Sequence, residues 1–177
     1  MTVTIRPARR QDGDAVADIR VASWRATYRG TVPDSHLDDM DPNRAHWRAA
    51  AAGEITGVEL LVCEIGGRVM GFACYGAARA PAFDYGGELY ATYYLPEAMG
   101  KGYGTLVVAE VVRGLRRMGH ADMILWVMEA NARGRRFYEK HGGIVVPGSR
   151  QSFVIAGQQI WEVAYGFRPL PDGKAKR

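Results

Sequence analysis

Gly100, Gly102 and Gly104 stand at alternate positions just after Leu95-Pro96, and a helical pattern starts behind them. From Tyr103 onward Val107, Val111, Leu115 and Met118 return at helical spacing, while Leu89 to Leu95 reads as a strand. Strand, glycine turn and helix start together make an anion site. The first-turn N–H groups of a helix lack intrahelical partners, and the macrodipole adds partial positive charge there. Glycines let a ligand approach the backbone closely, so a pyrophosphate suits the turn. It is not the dinucleotide fingerprint, because Thr105 or Val107 stands where the last glycine belongs, and no Gly-Lys-Ser/Thr run marks a P-loop.

A second group lies about thirty residues on. Met123 to Met128 reads as a strand, and Asn131 then caps a short helix that Gly142 and Gly143 close. Asn131, Gly134 and Tyr138 sit at i, i+3 and i+7 on one helix face. A small residue between two polar ones leaves a slot for something thin lying along the helix.

In this order and spacing the two runs resemble the GNAT superfamily of N-acetyltransferases, which use acetyl-CoA. Gly102 and Gly104, with Gly100, Lys101 and Tyr103 before and between them, match the family's [Q/R]-x-x-G-x-G/A loop. Asn131, Gly134, Tyr138 and the Gly142-Gly143 pair match its N-x-x-[A/G]-x-x-x-Y motif and following glycine. The resemblance implies acetyl-CoA as co-substrate, the primary amine of a small molecule or a free amino group as acceptor and no metal, with Gly100 to Thr105, Asn131, Gly134 and Arg135 against the cofactor. Transfer of another acyl group, such as succinyl or propionyl, and a non-catalytic CoA-binding sensor are the alternatives. It also implies a splayed central strand whose backbone N–H groups, near Thr92, Tyr93 and Tyr94, hold the pantetheine arm and polarise the thioester. One such donor is worth about 3 kcal/mol in a transition state. Met99 departs from the pattern, standing where the family usually has Gln or Arg. If that pyrophosphate contact is missing, Met99→Arg tightens binding; if Lys101 or Arg135 already fills the place, it does not.

The chemistry needs an acid and a base. An amine attacks a thioester only as the free base, and the leaving CoA thiolate benefits from a proton. A phenol of pKa about 10 is matched closely enough to a thiol of about 8.5 to give it one. The resemblance assigns that role to Tyr138. For the base, Glu88 opens the central strand where several family members carry a glutamate, and alternation puts it on one face with Tyr90, Thr92 and Tyr94. Glu129, at the end of the next strand, and a water relay are the alternatives. The four histidines lack metal-ligand spacing and a paired nucleophile. Cys63 and Cys74 fall mid-strand, which favours direct transfer over a ping-pong route.

These groups are positioned by the rest of the 177-residue chain. Its length suits one domain burying roughly 70% of its unfolded surface. We expect residues 1–170 to form a single acetyltransferase domain and 171–177 a flexible basic tail. Net charge is +4, with basic residues in small groups and no aromatic interleaving, so nucleic acid is not expected. No run approaches the about 20 apolar residues of a membrane span, and a cytoplasmic enzyme is expected, with a homodimer left open.

In order, Thr2 to Pro7 reads as an edge strand. A helix capped by Asp12 or Asp14 runs to Gly30, and another from Pro33-Asp34 carries Leu37, Met40 and Trp47. Trp24, Tyr28 and Trp47 either pack these helices or wall the acceptor pocket, which this helix pair borders in the family. Gly57 to Ile65 and Arg68 to Arg79 form a hairpin turning at Gly66-Gly67, whose register sets Cys63 opposite Met70 and Cys74 opposite Glu59. Ile144 to Val154, interrupted at Pro147-Gly148, and Gln159 to Phe167 are the last strands. The order β-α-α-β-β-β-α-β-α-β-β gives an α+β fold, a GNAT-like mixed, mostly antiparallel central sheet with helices on both faces.

Overall fold

The computed structural model describes residues 2–172. Most of the tail expected over 171–177 lies outside the described residues. The strands are β1 (Val3–Pro7), β2 (Val58–Ile65), β3 (Arg68–Ala77), β4 (Gly87–Tyr94), β5 (Met123–Met128), β6 (Ile144–Val145), β7 (Gln151–Ile155) and β8 (Gln158–Phe167). The helices are α1 (Gly13–Tyr28), α2 (Asp34–Asp38), α3 (Arg44–Ala51), α4 (Tyr103–Arg117) and α5 (Ala132–Lys140). One sheet runs β1-β2-β3-β4-β5-β8-β6, with β7 also on β8. Every pairing is antiparallel except β4 with β5. Among the described residues no helix is long and apolar enough to cross a membrane.

Each face of the sheet carries a core because the strands alternate their apolar side chains across it. On one face Val107, Val111 and Leu115 of α4 pack on Cys63, Leu89 and Leu125. On the other, Val16 and Ile19 of α1 and Trp47 of α3 pack on Val62, Phe72 and Cys74. The helices therefore cover both faces, as the sequence pattern requires.

Two local expectations are corrected. The single helix expected from Pro33 to Trp47 is two, α2 and α3. Pro42 biases Asp41 away from the helical region, and Asn43 takes a left-handed conformation (φ 52) with its N–H bonded to Asp41 Oδ1 at 2.8 Å. In the hairpin, a bulge between Cys63 and Glu64 shifts the register by one, so Cys63 faces Gly71 and Cys74 faces Leu60. The cysteines are free, and burial pushes the thiols up to about 11 and about 12. Neither is a nucleophile near neutrality.

α1 and α3 approach so closely that a Cβ on Gly13 would stand 2.5 Å from Arg48 Cα. Because the neighbour is backbone, Gly13→Ala should destabilise by about 1–3 kcal/mol, outweighing the gain in chain entropy. A thermal melt should show Tm lowered by about 2–12 °C. An unchanged Tm would mean that α3 shifts without cost, and with it the wall that α1 gives the site.

Candidate active site

β4 changes its behaviour halfway along. Its pairing with β3 shifts between Leu89, opposite Tyr75, and Ala91, opposite Cys74, leaving Tyr90 in a bulge. The bulge reverses the alternation expected from the sequence. Leu89 and Tyr94 pack toward α4, while Tyr90, Ala91 and Tyr93 pack toward α1 and α3. Glu88, Tyr90, Thr92 and Tyr94 therefore do not share a face.

Beyond the bulge β4 also parts from β5. Their parallel pairing covers only Gly87, Glu88 and Leu89, opposite Met123, Ile124 and Leu125. Leu95 donates its N–H to Met70 O on β3 at 2.9 Å. Counting back by twos, Tyr93 and Ala91 donate the same way, which turns the N–H groups of Thr92 and Tyr94 toward the gap. The result is a wedge with two backbone donors along one wall.

The glycine turn closes the broad end of this wedge. Gly100 (φ 77) and Gly102 (φ 85) are left-handed, conformations that side chains resist, and Gly102 caps α4 without a side-chain bond. The first-turn N–H groups of α4 are thus uncovered toward the cavity, apart from that of Thr105, which donates to Gly102 O at 3.1 Å. Gly104 has a separate reason to be small: a Cβ there would stand 3.1 Å from the Phe137 ring.

α5 supplies the facing wall. Asn131 Oδ1 accepts the Gly134 N–H at 2.8 Å, and Asn131 Nδ2 lies 3.4 Å from Tyr28 OH on α1. A Cβ on Gly134 would come within 2.7 Å of Asn131 Nδ2, so the small residue makes room for its own helix cap. Tyr138 lies one turn further along, and burial, then the neighbouring phenols Tyr28 and Tyr93, holds its hydroxyl well above the usual tyrosine range. It stays protonated at any working pH.

α1, β4, the glycine turn and α5 enclose a cavity of about 420 Å³. Thr92, Tyr93, Tyr94, Met99, Gly100, Gly102, Tyr103, Gly104, Asn131, Gly134 and Tyr138 all line it, so the structure brings most of the sequence-predicted residues together. Four predicted site residues, and the alternative base Glu129, stand elsewhere. Lys101 is exposed and absent from the lining. Thr105 turns its hydroxyl to His141 Nε2 at 2.9 Å. Arg135 donates from Nε to Tyr165 OH at 3.2 Å, on another side of α5. Glu88 is buried at the far end of β4, where Arg79 holds it through its backbone N–H at 2.7 Å and its guanidinium at 2.6 Å. Glu129 pairs with Arg150 at 2.9 Å, also outside the cavity.

The lining adds residues that the sequence did not single out. Arg133 is the chief one: a Cβ on Gly100 would stand 2.8 Å from its Nη2, so its guanidinium rests against the glycine turn. It makes no ion pair among the described residues. Ser23, Thr27 and Tyr28 of α1 form the opposite flank, whereas Trp47 packs on Phe72 with ring centroids 5.1 Å apart. Of the three aromatic residues weighed as pocket walls, Tyr28 alone lines the cavity.

Arg133 changes the expectation for Met99. A second guanidinium from Met99→Arg would crowd Arg133 and meet its charge, so we expect CoA affinity to stay within about threefold or to fall. Calorimetry showing tighter binding by about 1–2 kcal/mol would mean that Arg133 leaves the pyrophosphate uncontacted.

A strand splayed at a bulge, a glycine turn at a helix start and a capped helix bearing a tyrosine together define a class of acyl-CoA enzyme. Residues 16–143 match the Acetyltransferase (GNAT) family; the chain belongs to that family and is an acyltransferase using acetyl-CoA as donor. Over 170 residues it is 32% identical to YuaI of Bacillus subtilis, described as an uncharacterized N-acetyltransferase, covering 95% of this chain and 94% of that one. Over 159 residues it is 28% identical to the L-methionine sulfoximine/L-methionine sulfone acetyltransferase of Salmonella typhimurium, covering 89% and 90%. The fold of yncA from Salmonella typhimurium, solved with its cofactor acetyl-CoA, agrees at a TM-score of 0.71 and 24% identity over 100% of this chain and 99% of that one.

Proposed function

We propose that the protein moves an acetyl group from acetyl-CoA directly to the primary amine of a small molecule, with the two substrates meeting in the β4–β5 wedge. The observation that carries this is the pair of N–H groups, on Thr92 and Tyr94, facing a cavity that Tyr138 also lines. The pyrophosphate lies on the turn from Gly100 to Gly104 under Arg133, and the thioester reaches along the wedge. The backbone donors of β4 take up the negative charge that grows on the thioester oxygen as the amine attacks. When the carbon–sulfur bond breaks, Tyr138 protonates the thiolate, and the proton released by the new amide returns to it through solvent. The buried cysteines, unreactive near neutrality, favour this one-step route and fit a cytoplasmic location. The relative named for methionine sulfoximine supports an acceptor of similar size.

No carboxylate or imidazole lines the cavity among the described residues. The acceptor therefore enters as its free base, and its own pKa sets the pH dependence. Thiol release with acetyl-CoA should rise about tenfold per pH unit until the acceptor's pKa is reached, and the bend should move when the acceptor is changed. A bend that stays at one pH for acceptors of different basicity would identify a base on the enzyme. Absence of thiol release with every small amine tried would overturn the proposal itself.

A further inference from the structure

Resting on that proposed activity, we infer that Arg20 binds a carboxylate of the acceptor, which makes the preferred acceptor a small amino acid. Arg20, Ser23 and Thr27 lie three and seven residues apart on α1 and so share one helix face. Ser23 and Thr27 line the cavity, which puts Arg20 one turn beyond its acceptor flank. Burial chiefly holds the phenol of Tyr93, a cavity residue, above its usual range, with the Trp24 side chain and then the Arg20 charge acting the other way, and the Arg20 guanidinium lies 5.9 Å from the Trp24 ring.

The arginines around it are committed. Arg25 donates to Leu37 O and Asp38 O, each at 2.8 Å. Arg29 pairs with Asp38 at 2.7 Å, Arg44 with Asp18 at 2.6 Å and Arg48 with Asp14 at 2.7 Å. Arg20 has one bond, from Nη1 to Asp41 O at 3.2 Å, and no carboxylate within ion-pair distance among the described residues. Most of its planar fork remains available for a bidentate carboxylate. It borders a second recess, of about 520 Å³, with Ser35, His36, Asp39 and Asp41. Asp39 and Asp41 weaken the recess's hold on any anion, so recognition of the carboxylate falls to the Arg20 fork itself. Arg133 at the cofactor end and Arg20 at the acceptor end thus match the two anions that the reaction brings together.

The test compares L-amino acids with their carboxamides, which keep the α-amine and lose the charge, using L-methionine sulfone and its amide as the first pair. Wild type should favour the acid in kcat/KM by about tenfold or more. Arg20→Gln should abolish that preference by raising KM for the acid, with KM for acetyl-CoA within about twofold as a check on folding. Arg20→Lys, which keeps the charge without the fork, should retain part of it. A preference that survives Arg20→Gln, equal losses on acid and amide, or a wild type that favours the amides would overturn the inference. Turnover of other amines with none of either amino-acid form would also overturn it and leave the acetyltransferase proposal standing. No turnover of any amine would bring down both.

Discussion

Tyr138→Phe is expected to lower kcat by about ten- to a thousandfold while KM for acetyl-CoA stays within about threefold. Phenylalanine keeps the ring that packs beside Phe137 and Tyr165, with centroids 5.3 and 6.1 Å away, and removes only the hydroxyl. The α5 wall and the cofactor's bed should be undisturbed, and the thiolate would depart unprotonated. Burial raises the Tyr138 pKa, so the phenol is the weaker acid but is protonated throughout the working range. The sign follows: a group whose pKa is raised loses its proton only above the ordinary tyrosine range, so wild type should show no alkaline decline from Tyr138 below about pH 10. Steady-state kinetics of the two proteins on one acceptor decide it. Full kcat in the variant would hand the proton to a water, and a joint loss of CoA affinity would show that the ring's packing was the issue.

Arg133→Ala carries the second large effect. The guanidinium rests against Gly100 and makes no ion pair among the described residues, so its charge is free for the pyrophosphate. Charge-assisted hydrogen bonds of this kind contribute about 1.5–3 kcal/mol, so Kd for CoA should rise about ten- to a hundredfold. Salt should narrow the gap, because the contact lies at the exposed mouth of the cavity. The same substitution at Arg135, which is held by Tyr165, should leave CoA affinity nearly unchanged. Calorimetry on the pair gives the answer: equal effects, or a larger one at Arg135, would reverse the assignment.

The contrast between these arginines shows what was legible in the chain. The glycine turn, the Asn131 cap and Tyr138 are local devices, each written in a few consecutive residues, and all three line the cavity. Helix phase alone could have preferred Arg133 over Arg135, since Arg133 and Phe137 sit four apart and flank the stripe of Gly134 and Tyr138. Glu88 was put forward by the family resemblance and by strand alternation, and a bulge at Tyr90 breaks alternation without leaving a sequence signal. The hairpin bulge at Cys63 misled the register in the same way. Ser23 and Thr27 on the α1 flank were missed for another reason. Trp24 and Tyr28 draw attention by size, whereas small Ser23 and Thr27 leave the space that a substrate needs.

Backbone amide exchange, followed residue by residue as acetyl-CoA is added, tests the central claim most directly. Binding in the wedge should slow exchange at Thr92 and Tyr94 and across 99–104 and 131–134, and leave β1 and β2 unaffected. The β4 donors matter most, because their N–H groups face the gap and a bound pantetheine arm would be their partner. Protection confined to other surfaces, or exchange at Thr92 and Tyr94 that saturating acetyl-CoA leaves unchanged, would contradict the account.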